Sequence, residues 1–187
     1  RSLTVDGAYK AADFINFCDA YDIPVLSLTN VKGYAADVRS EKSIAKAVAK
    51  LTYAFANANV PKVNVITGEA YGSAYVTMNS KALGADVTYA WPDASIGMMD
   101  ANEAAKIMYA DDIAKSADVQ SVISEKAAEY AALQSGVESA AARGYVDTII
   151  NPEDTRKYVA AAFEMLYTKR EDRPEDTRKY VAADRKS

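Results

Sequence analysis

PKVNVITGEAYGSAYVTMNSKALGADVTYAWPDASIG, residues 61–97, is the stretch of sequence that decides the fold of this chain. It begins at 62–67 with a segment that contains Val63, Val65 and Ile66 and predicts a strand, which is followed by a predicted turn at 68–72. Small residues at 73–82 predict a helix that ends at Gly84, because glycine readily adopts the left-handed conformation that closes helices. Two more strands are predicted before the stretch ends.

Helices and strands continue to alternate on both sides of this core. The pattern is strongest upstream, where apolar residues recur at helical spacing and Ser40 is placed to cap the helix. The elements predicted beyond the first strand and helix are helices at 7–21, 40–58, 100–109 and 118–134 and from 151 onward, and strands at 25–29, 86–91, 95–98 and 145–150. Such alternation predicts a layered α/β fold with short, largely parallel strands.

The composition of the chain excludes several classes of function. Its 187 residues are 50% hydrophobic and 26% charged with a net charge of −4, which suits a globular domain and not a basic nucleic-acid-binding protein. No apolar stretch approaches the roughly 18 residues that a membrane span needs. Cys18 is the single cysteine, so no internal disulfide forms, and it is predicted to be a buried hydrophobic residue. The absence of histidine excludes Ser-His-Asp and Cys-His catalysis, and no metal site is predicted.

Two loops at the carboxyl ends of predicted strands are the candidate binding elements. Residues 29–34 follow one strand, and residues 68–75 follow the next and lead into a helix. Backbone N–H groups point outward at such places, so two of them could form an oxyanion hole. The same pattern also fits two ordinary loops. A Ser73 nucleophile activated by Lys81 is a third interpretation that the sequence allows.

Several ordered blocks of the sequence resemble one family. The central words are VNVIT at 63–67 and AYGSAYVTMNSKALGADVTYAWPDASIG at 70–97, and further matches lie at 12–24, 49–56 and 141–147. In these blocks the chain is similar to the carboxyltransferase subunit of biotin-dependent acyl-CoA carboxylases and decarboxylases, of the propionyl-CoA carboxylase beta and methylmalonyl-CoA carboxyltransferase type. The resemblance extends over most of the chain but covers only the second half of the usual subunit.

The resemblance implies a crotonase-like α/β fold, which is a ββα spiral with flanking helices. It implies that residues 1–170 form the C-terminal carboxyltransferase domain. Residues 171–187 are interpreted as a charged tail. This tail repeats part of the domain, since PEDTRKYVAA occurs at 152–161 and again at 174–183.

The family's reaction moves a carboxyl group between carboxybiotin and the α-carbon of a short acyl-CoA, or decarboxylates the carboxylated acyl-CoA. The resemblance implies that this chain is the biotin-side half, active only with an N-terminal half on the same or a separate chain. The other implied partners are a biotin carboxyl carrier protein, a coenzyme A thioester and further copies in a hexamer-type assembly. The implied location is the bacterial cytoplasm or the mitochondrial matrix.

The family's mechanism needs no side-chain base, which agrees with the absence of histidine. Carried over to this sequence, the oxyanion donors are the backbone N–H groups at Gly72, Ser73 and Ala74. The residues implied to bind biotin or substrate are Val31, Gly33, Tyr34, Tyr71, Tyr75, Val76, Met99 and Asp100.

Several positions depart from the family's pattern. Lys32 stands where a proline is usual, Ser73 replaces the second glycine of the central motif, and Asp100 and Glu103 replace two further glycines. The last two changes make a better helix start and a less open loop. Two alternatives stay open. One is a biotin-independent crotonase-type hydratase or isomerase with Glu69 or Asp100 as its base, and the other is a non-catalytic half-domain kept for assembly.

Overall fold

The computed structural model describes residues 2–116 and 118–170. The repeated segment at 174–183 and the rest of the predicted tail lie outside the described residues. The helices and strands, in chain order, are β1 (Ser2–Leu3), α1 (Val5–Ala20), β2 (Val25–Val31), β3 (Gly33–Tyr34), α2 (Val38–Asn57), β4 (Lys62–Tyr71), α3 (Gly72–Val76), β5 (Val87–Ala90), β6 (Ser95–Gly97), α4 (Ala101–Met108), α5 (Ala110–Lys115), α6 (Val119–Tyr130), α7 (Val137–Ala142), β7 (Thr148–Ile149) and α8 (Thr155–Met165).

The main sheet is parallel, as the alternation of helices and strands predicted. Its strands follow the order β2-β4-β5-β7, and β6 pairs with the last residues of β4. A second, two-stranded sheet joins β1 to β3, also in parallel. Helices connect successive parallel strands because a parallel pair needs a long crossover. The carboxyl ends of β2 and β4 therefore lie side by side.

Helices cover both faces of the main sheet. On one face α1 and α2 form a core with β2, in which Ile15 and Leu51 are buried, and Cys18 is buried there as predicted. On the other face α8 packs against Val63 and Val65 of β4, which are fully buried. Burying these aliphatic side chains stabilises the layers by roughly 1.5–3 kcal/mol for each one.

The predicted turn at 68–72 is wrong, because β4 continues as a strand to Tyr71. Residues at the end of β4 pair with β6, with Glu69 opposite Ser95 and Tyr71 opposite Gly97. These ladder bonds satisfy backbone groups that a turn would leave to solvent. Pairing with β6, which lies later in the chain, therefore outweighs the local preference of the glycines for a turn.

The predicted helix at 73–82 is also wrong, since α3 ends at Val76. The Thr77 and Ser80 hydroxyls donate to the carbonyls of Ala74 (3.0 Å) and Val76 (2.9 Å), and Asn79 adopts a φ of +57°. Such polar side chains compete with regular helix hydrogen bonds. The chain then makes a short 3-10 turn that closes at Gly84 with φ +100°, where the ending was predicted.

Other boundaries moved for reasons that are visible locally. Helix α2 begins before the predicted cap Ser40, because Asp37 is the true cap and accepts the Ser40 N–H at 2.8 Å. The strand predicted at 145–150 is reduced to β7, since the Asp147 carboxylate accepts the Thr88 N–H at 2.8 Å in place of a strand carbonyl. The helix predicted at 118–134 is divided, with a π-helical turn (Ala131–Ser135) following α6.

Candidate functional site

A pocket of about 300 Å³ opens where β2 and β4 end and where α3 and α4 begin. This volume lies at the lower end of the range for small-molecule sites. The described residues that line it are Lys32, Gly33, Tyr34, Tyr71, Gly72, Ser73, Ala74, Met98, Met99, Asp100 and Glu103. The carboxyl ends of parallel strands are the usual position for ligands in α/β folds.

Gly72 sets the geometry of the pocket floor. Its φ is +59°, in the left-handed region that glycine adopts without strain, and a Cβ placed there would lie 2.9 Å from the Met98 carbonyl oxygen. This close approach lets β4 pass directly into α3. Ser73 and Ala74 are then the second and third residues of the helix, so their N–H groups have no acceptor within it. Both residues line the pocket.

An irregularity between β2 and β4 sets the path of β4 toward the pocket. Thr29 pairs with Ile66 but Val31 pairs with Ala70, so β4 carries extra residues opposite Asn30. The Asn30 side chain fills this gap, and its Oδ1 accepts the Glu69 N–H at 3.2 Å. Gly68 makes room for that side chain, because a Cβ there would lie 2.9 Å from it.

The rim of the pocket carries charges of both signs. The Lys32 ammonium lies 2.9 Å from Glu69 Oε1, with side-chain exposures of 54% and 22%. The hydrogen bond to Glu69, followed by the charges of Glu69 and of Asp100, raises the pKa of Lys32 above its ordinary value. Burial raises the pKa of the Tyr71 phenol, which a hydrogen bond with Ser95 partly opposes.

Helix α4 presents its first turn to the pocket. Asp100 is its cap, as predicted, and Oδ1 accepts the Asn102 N–H at 2.9 Å. Glu103 does not complete a capping box with it. Its carboxylate pairs with Lys106 at 2.8 Å instead. The Asp100 carboxylate is therefore fixed at the pocket by its role as the N-cap of α4.

The structure brings eight of the predicted site residues to this pocket and leaves three outside it. The eight are Gly33, Tyr34, Tyr71, Gly72, Ser73, Ala74, Met99 and Asp100. Of the three that do not line it, Val31 and Tyr75 are buried in the core beside the pocket, and Val76 is 40% exposed at the end of α3. The strand alternation turns Val31 inward, whereas Lys32 and Gly33, which follow it, line the pocket.

Lys32, Met98 and Glu103 line the pocket and were missed as site residues. Lys32 and Met98 are sequence neighbours of predicted residues, Glu103 lies three positions after Asp100, and Lys32 and Glu103 are departures from the family's pattern. That signal could have found them. Lys81, the partner considered for a Ser73 nucleophile, is ion-paired with Asp147 and does not line the pocket.

The described part of the chain contains neither a metal-binding cluster nor a membrane-spanning helix. No group of three or more histidine, cysteine, aspartate or glutamate side chains is arranged to hold a metal ion there. No helix in the described ranges is long and apolar enough to cross a membrane.

The family model described as the carboxyl transferase domain matches residues 2–181 of this chain. The propionyl-CoA carboxylase beta chain of Saccharopolyspora erythraea is 46% identical over 175 residues, which cover 91% of this chain and 32% of that protein. The methylmalonyl-CoA carboxyltransferase 12S subunit of Propionibacterium freudenreichii subsp. shermanii is 42% identical over 172 residues, which cover 91% of this chain and 33% of that protein.

Solved structures agree with the sequence matches. A crystal structure of transcarboxylase 12S with methylmalonyl-coenzyme A and methylmalonic acid bound superposes with a TM-score of 0.88 at 41% identity, covering 92% of this chain and 34% of that chain. The predicted crotonase-like α/β fold is confirmed by this likeness. The chain spans about a third of the length of the curated relatives it matches.

Proposed function

The chain belongs to the carboxyl transferase domain family, and from this premise we propose that it forms the biotin side of an acyl-CoA carboxyltransferase. Its part of the reaction is to hold the biotin ring while a carboxyl group moves between that ring and a short acyl-CoA such as propionyl-CoA. The single observation that carries the proposal is that Ser73 and Ala74, whose N–H groups belong to the first turn of α3, line a pocket in a chain without histidine.

The residues present fit a biotin ring. The pocket holds about 300 Å³, it is flanked by the aromatic side chains of Tyr34 and Tyr71, and its donors are backbone N–H groups at the start of α3. A Cβ at Gly33 would meet nothing within 4 Å, so this side of the pocket is open to an entering ring. When bound, carboxylated biotin supplies the carboxyl group, and its ring nitrogen accepts the α-proton of the acyl-CoA.

The chain's own residues contribute by placing donors before the reaction begins. The Ser73 and Ala74 N–H groups are fixed by α3 and donate to the ureido carbonyl oxygen, on which negative charge develops. Donors that need no reorganisation contribute on the order of 3 kcal/mol to such a transition state. A phenol is protonated at neutral pH, and burial raises the pKa of Tyr71 further, so this side chain adds no competing negative charge.

The remaining parts of the enzyme lie on other segments or chains. We place the acyl-CoA on an N-terminal half, since this chain spans about a third of its relatives. The transcarboxylase 12S neighbour is described as a hexamer assembly, and we propose a comparable oligomer here. A biotin carboxyl carrier protein brings the ring, in the bacterial cytoplasm or the mitochondrial matrix.

The test removes one N–H donor from the full-length subunit assayed with its biotinylated carrier. Ser73→Pro deletes the N–H at a helix position where proline is tolerated, and we expect kcat to fall about 100-fold. Ser73→Ala keeps that N–H, loses only the hydroxyl, and is expected to retain activity. Full activity in Ser73→Pro would refute the proposal.

The biotin-independent alternative makes a different prediction. A hydratase or isomerase would turn over acyl-CoA without any biotinylated carrier and would lose activity in Glu69→Gln or Asp100→Asn. In the proposed reaction Glu69→Gln leaves the donors in place and causes a modest loss. Turnover that is independent of the carrier would therefore decide for the alternative.

A further inference from the structure

The charged groups of the pocket are separated by side. Among the described residues that line it, Lys32 is the only cation, and it stands at the β2 side. Asp100 and Glu103 stand at the α4 side, and Glu103 is paired with Lys106 at 2.8 Å. Within this lining, Lys32 is therefore the group that can donate a charge-assisted hydrogen bond to an anionic group on a ligand, whereas the α4 side repels such a group.

Glu69 fixes the position of the Lys32 ammonium. The contact between Nζ and Oε1 is 2.9 Å, and the Glu69 carboxylate sits mostly out of solvent, at 22% exposure. An ammonium has three N–H donors, and this contact uses one. Because the Lys32 side chain is 54% exposed, its other donors are accessible from the pocket.

The Asp100 carboxylate repels anionic ligand groups from the α4 side of the pocket. Its Oδ1 accepts both the Asn102 N–H at 2.9 Å and the Asn102 side-chain amide at 3.2 Å, and Oδ2 takes part in neither bond. Among the described residues, the hydrogen bonds to this carboxylate come from the neutral amides of Asn102, and its charge also acts on the Lys32 ammonium. Its charge, next after that of Glu69, helps to keep the Lys32 ammonium protonated by raising its pKa.

We propose that Lys32 binds the carboxylate of the carboxylated biotin ring and so makes the pocket prefer the loaded carrier over the unloaded one. This inference rests on the proposed function. The unloaded ureido ring is neutral and offers the ammonium only a weak partner. The loaded ring offers a carboxylate, and hydrogen bonds between two charged groups are roughly twice as strong as neutral ones. Lys32 is in this sense a specificity-determining residue.

The experiment measures binding by the full-length subunit. Equilibrium dissociation constants are determined by surface plasmon resonance for the biotinylated carrier before carboxylation and freshly carboxylated. The wild type is expected to prefer the carboxylated carrier. Lys32→Met is expected to weaken binding of the carboxylated carrier about tenfold and to leave the unloaded carrier unchanged, while Lys32→Arg keeps most of the preference.

The control is Lys126→Met, which removes a similar surface ion pair, to Glu129 at 3.0 Å, away from the pocket-lining residues. It is expected to change neither dissociation constant. Thermal unfolding of each variant confirms that it is folded.

Three results would overturn the inference. Lys32→Met could weaken both carrier forms equally, which is the signature of a structural role, or it could leave both unchanged. In either case the proposed function stands, because the wild type still binds the carrier. If the wild type binds neither form, the proposed function fails and the Lys32 inference fails with it.

Discussion

Gly72 and Gly33 both line the pocket but experience opposite constraints. Gly72 adopts a φ of +59° and lies against the Met98 carbonyl, whereas Gly33 has ordinary backbone angles and open space around its Cα. Glycine is therefore required by the backbone conformation at Gly72, whereas Gly33 only lies beside the site. The positions of the Ser73 and Ala74 N–H groups depend on Gly72, because Gly72 orients the start of α3.

We expect Gly72→Ala to destabilise the chain by about 1–3 kcal/mol, the usual cost of a non-glycine residue in a strained left-handed conformation. The added Cβ also meets the Met98 oxygen at 2.9 Å. Urea unfolding measures the change. Gly33→Ala is the matched control and is expected to be neutral or slightly stabilising. Equal stabilities for the two variants would contradict the close approach at Gly72.

Tyr75 predicts a dependence of stability on alkaline pH. Burial raises the pKa of its phenol to about 12, and among the described residues its hydroxyl has no hydrogen-bond partner. A raised pKa adds stability that is complete below pH 10 and is lost as the pH rises toward 12. Tyr75→Phe has no phenol to ionise and so lacks this pH dependence. From pH 8 to pH 11 the free energy of unfolding of the wild type should therefore fall by about 1 kcal/mol relative to that of the variant. Urea unfolding of both proteins measures the change. The same difference in stability between the two proteins at pH 8 and at pH 11 would disprove this prediction.

At the scale of elements, the end of β4 shows how a sheet irregularity builds a site. Asn30 fills the gap opposite the extra residues of β4, and Gly68 leaves space for it. This arrangement lets β4 pair first with β5 and then with β6. Strand irregularities of this kind re-aim side chains near functional sites.

A double-mutant cycle tests the Asn30–Gly68 contact. Gly68→Ala alone should cost about 1–2 kcal/mol, because its Cβ overlaps the Asn30 side chain at 2.9 Å. In an Asn30→Ala background the same change should cost about 1 kcal/mol less, since the overlapping atoms are gone. Urea unfolding of the four proteins gives the coupling energy. An additive cycle would show that the contact carries no energy.

At the scale of the whole molecule, β2 forms an edge of the main sheet. Leu26 and Leu28 are 42% and 59% exposed there, although they pair with Val63 and Val65, which are fully buried. Helix α8 covers those central valines but leaves the edge leucines exposed. These two side chains leave an apolar strip at the edge of the sheet in the described part of the chain.

We propose that residues 1–170 are the folded unit, and we expect truncation after Arg170 to change Tm by less than about 2 °C. The contacts that hold α8 lie before that point, including the bond from Trp91 Nε1 to Thr155 Oγ1 at 2.9 Å and the Lys169–Asp86 ion pair at 2.9 Å. The repeated copy also lacks the apolar stripe, because its counterpart of Phe163 is Arg185. A differential scanning calorimetry experiment checks this.

The comparison for that truncation is Phe163→Ala, a half-buried residue that packs α8 onto the sheet. It should lower Tm by several degrees, because a lost aromatic contact costs about 2 kcal/mol even at a half-buried position. A large loss of Tm on truncation would instead assign the tail a structural role.

The sequence by itself determined the family, the parallel α/β architecture and most of the pocket. Hydrophobic periodicity located α1, α2 and the start of β4, and the absence of histidine left backbone N–H groups as candidate donors. These predictions rest on local periodicity, on composition and on short sequence motifs that occur in the same order as in the family.

Only the tertiary structure decided where local and long-range preferences disagreed. Pairing with β6 extended β4 through a glycine that locally favours a turn, and backward hydrogen bonds from Thr77 and Ser80 ended α3 early. The ion pair of Lys32 with Glu69, and the placing of Lys32 and Asp100 in one pocket, depended in the same way on strands and a helix far apart in sequence. Contacts at large sequence separation leave no periodic signal, so they become visible only when the chain is folded.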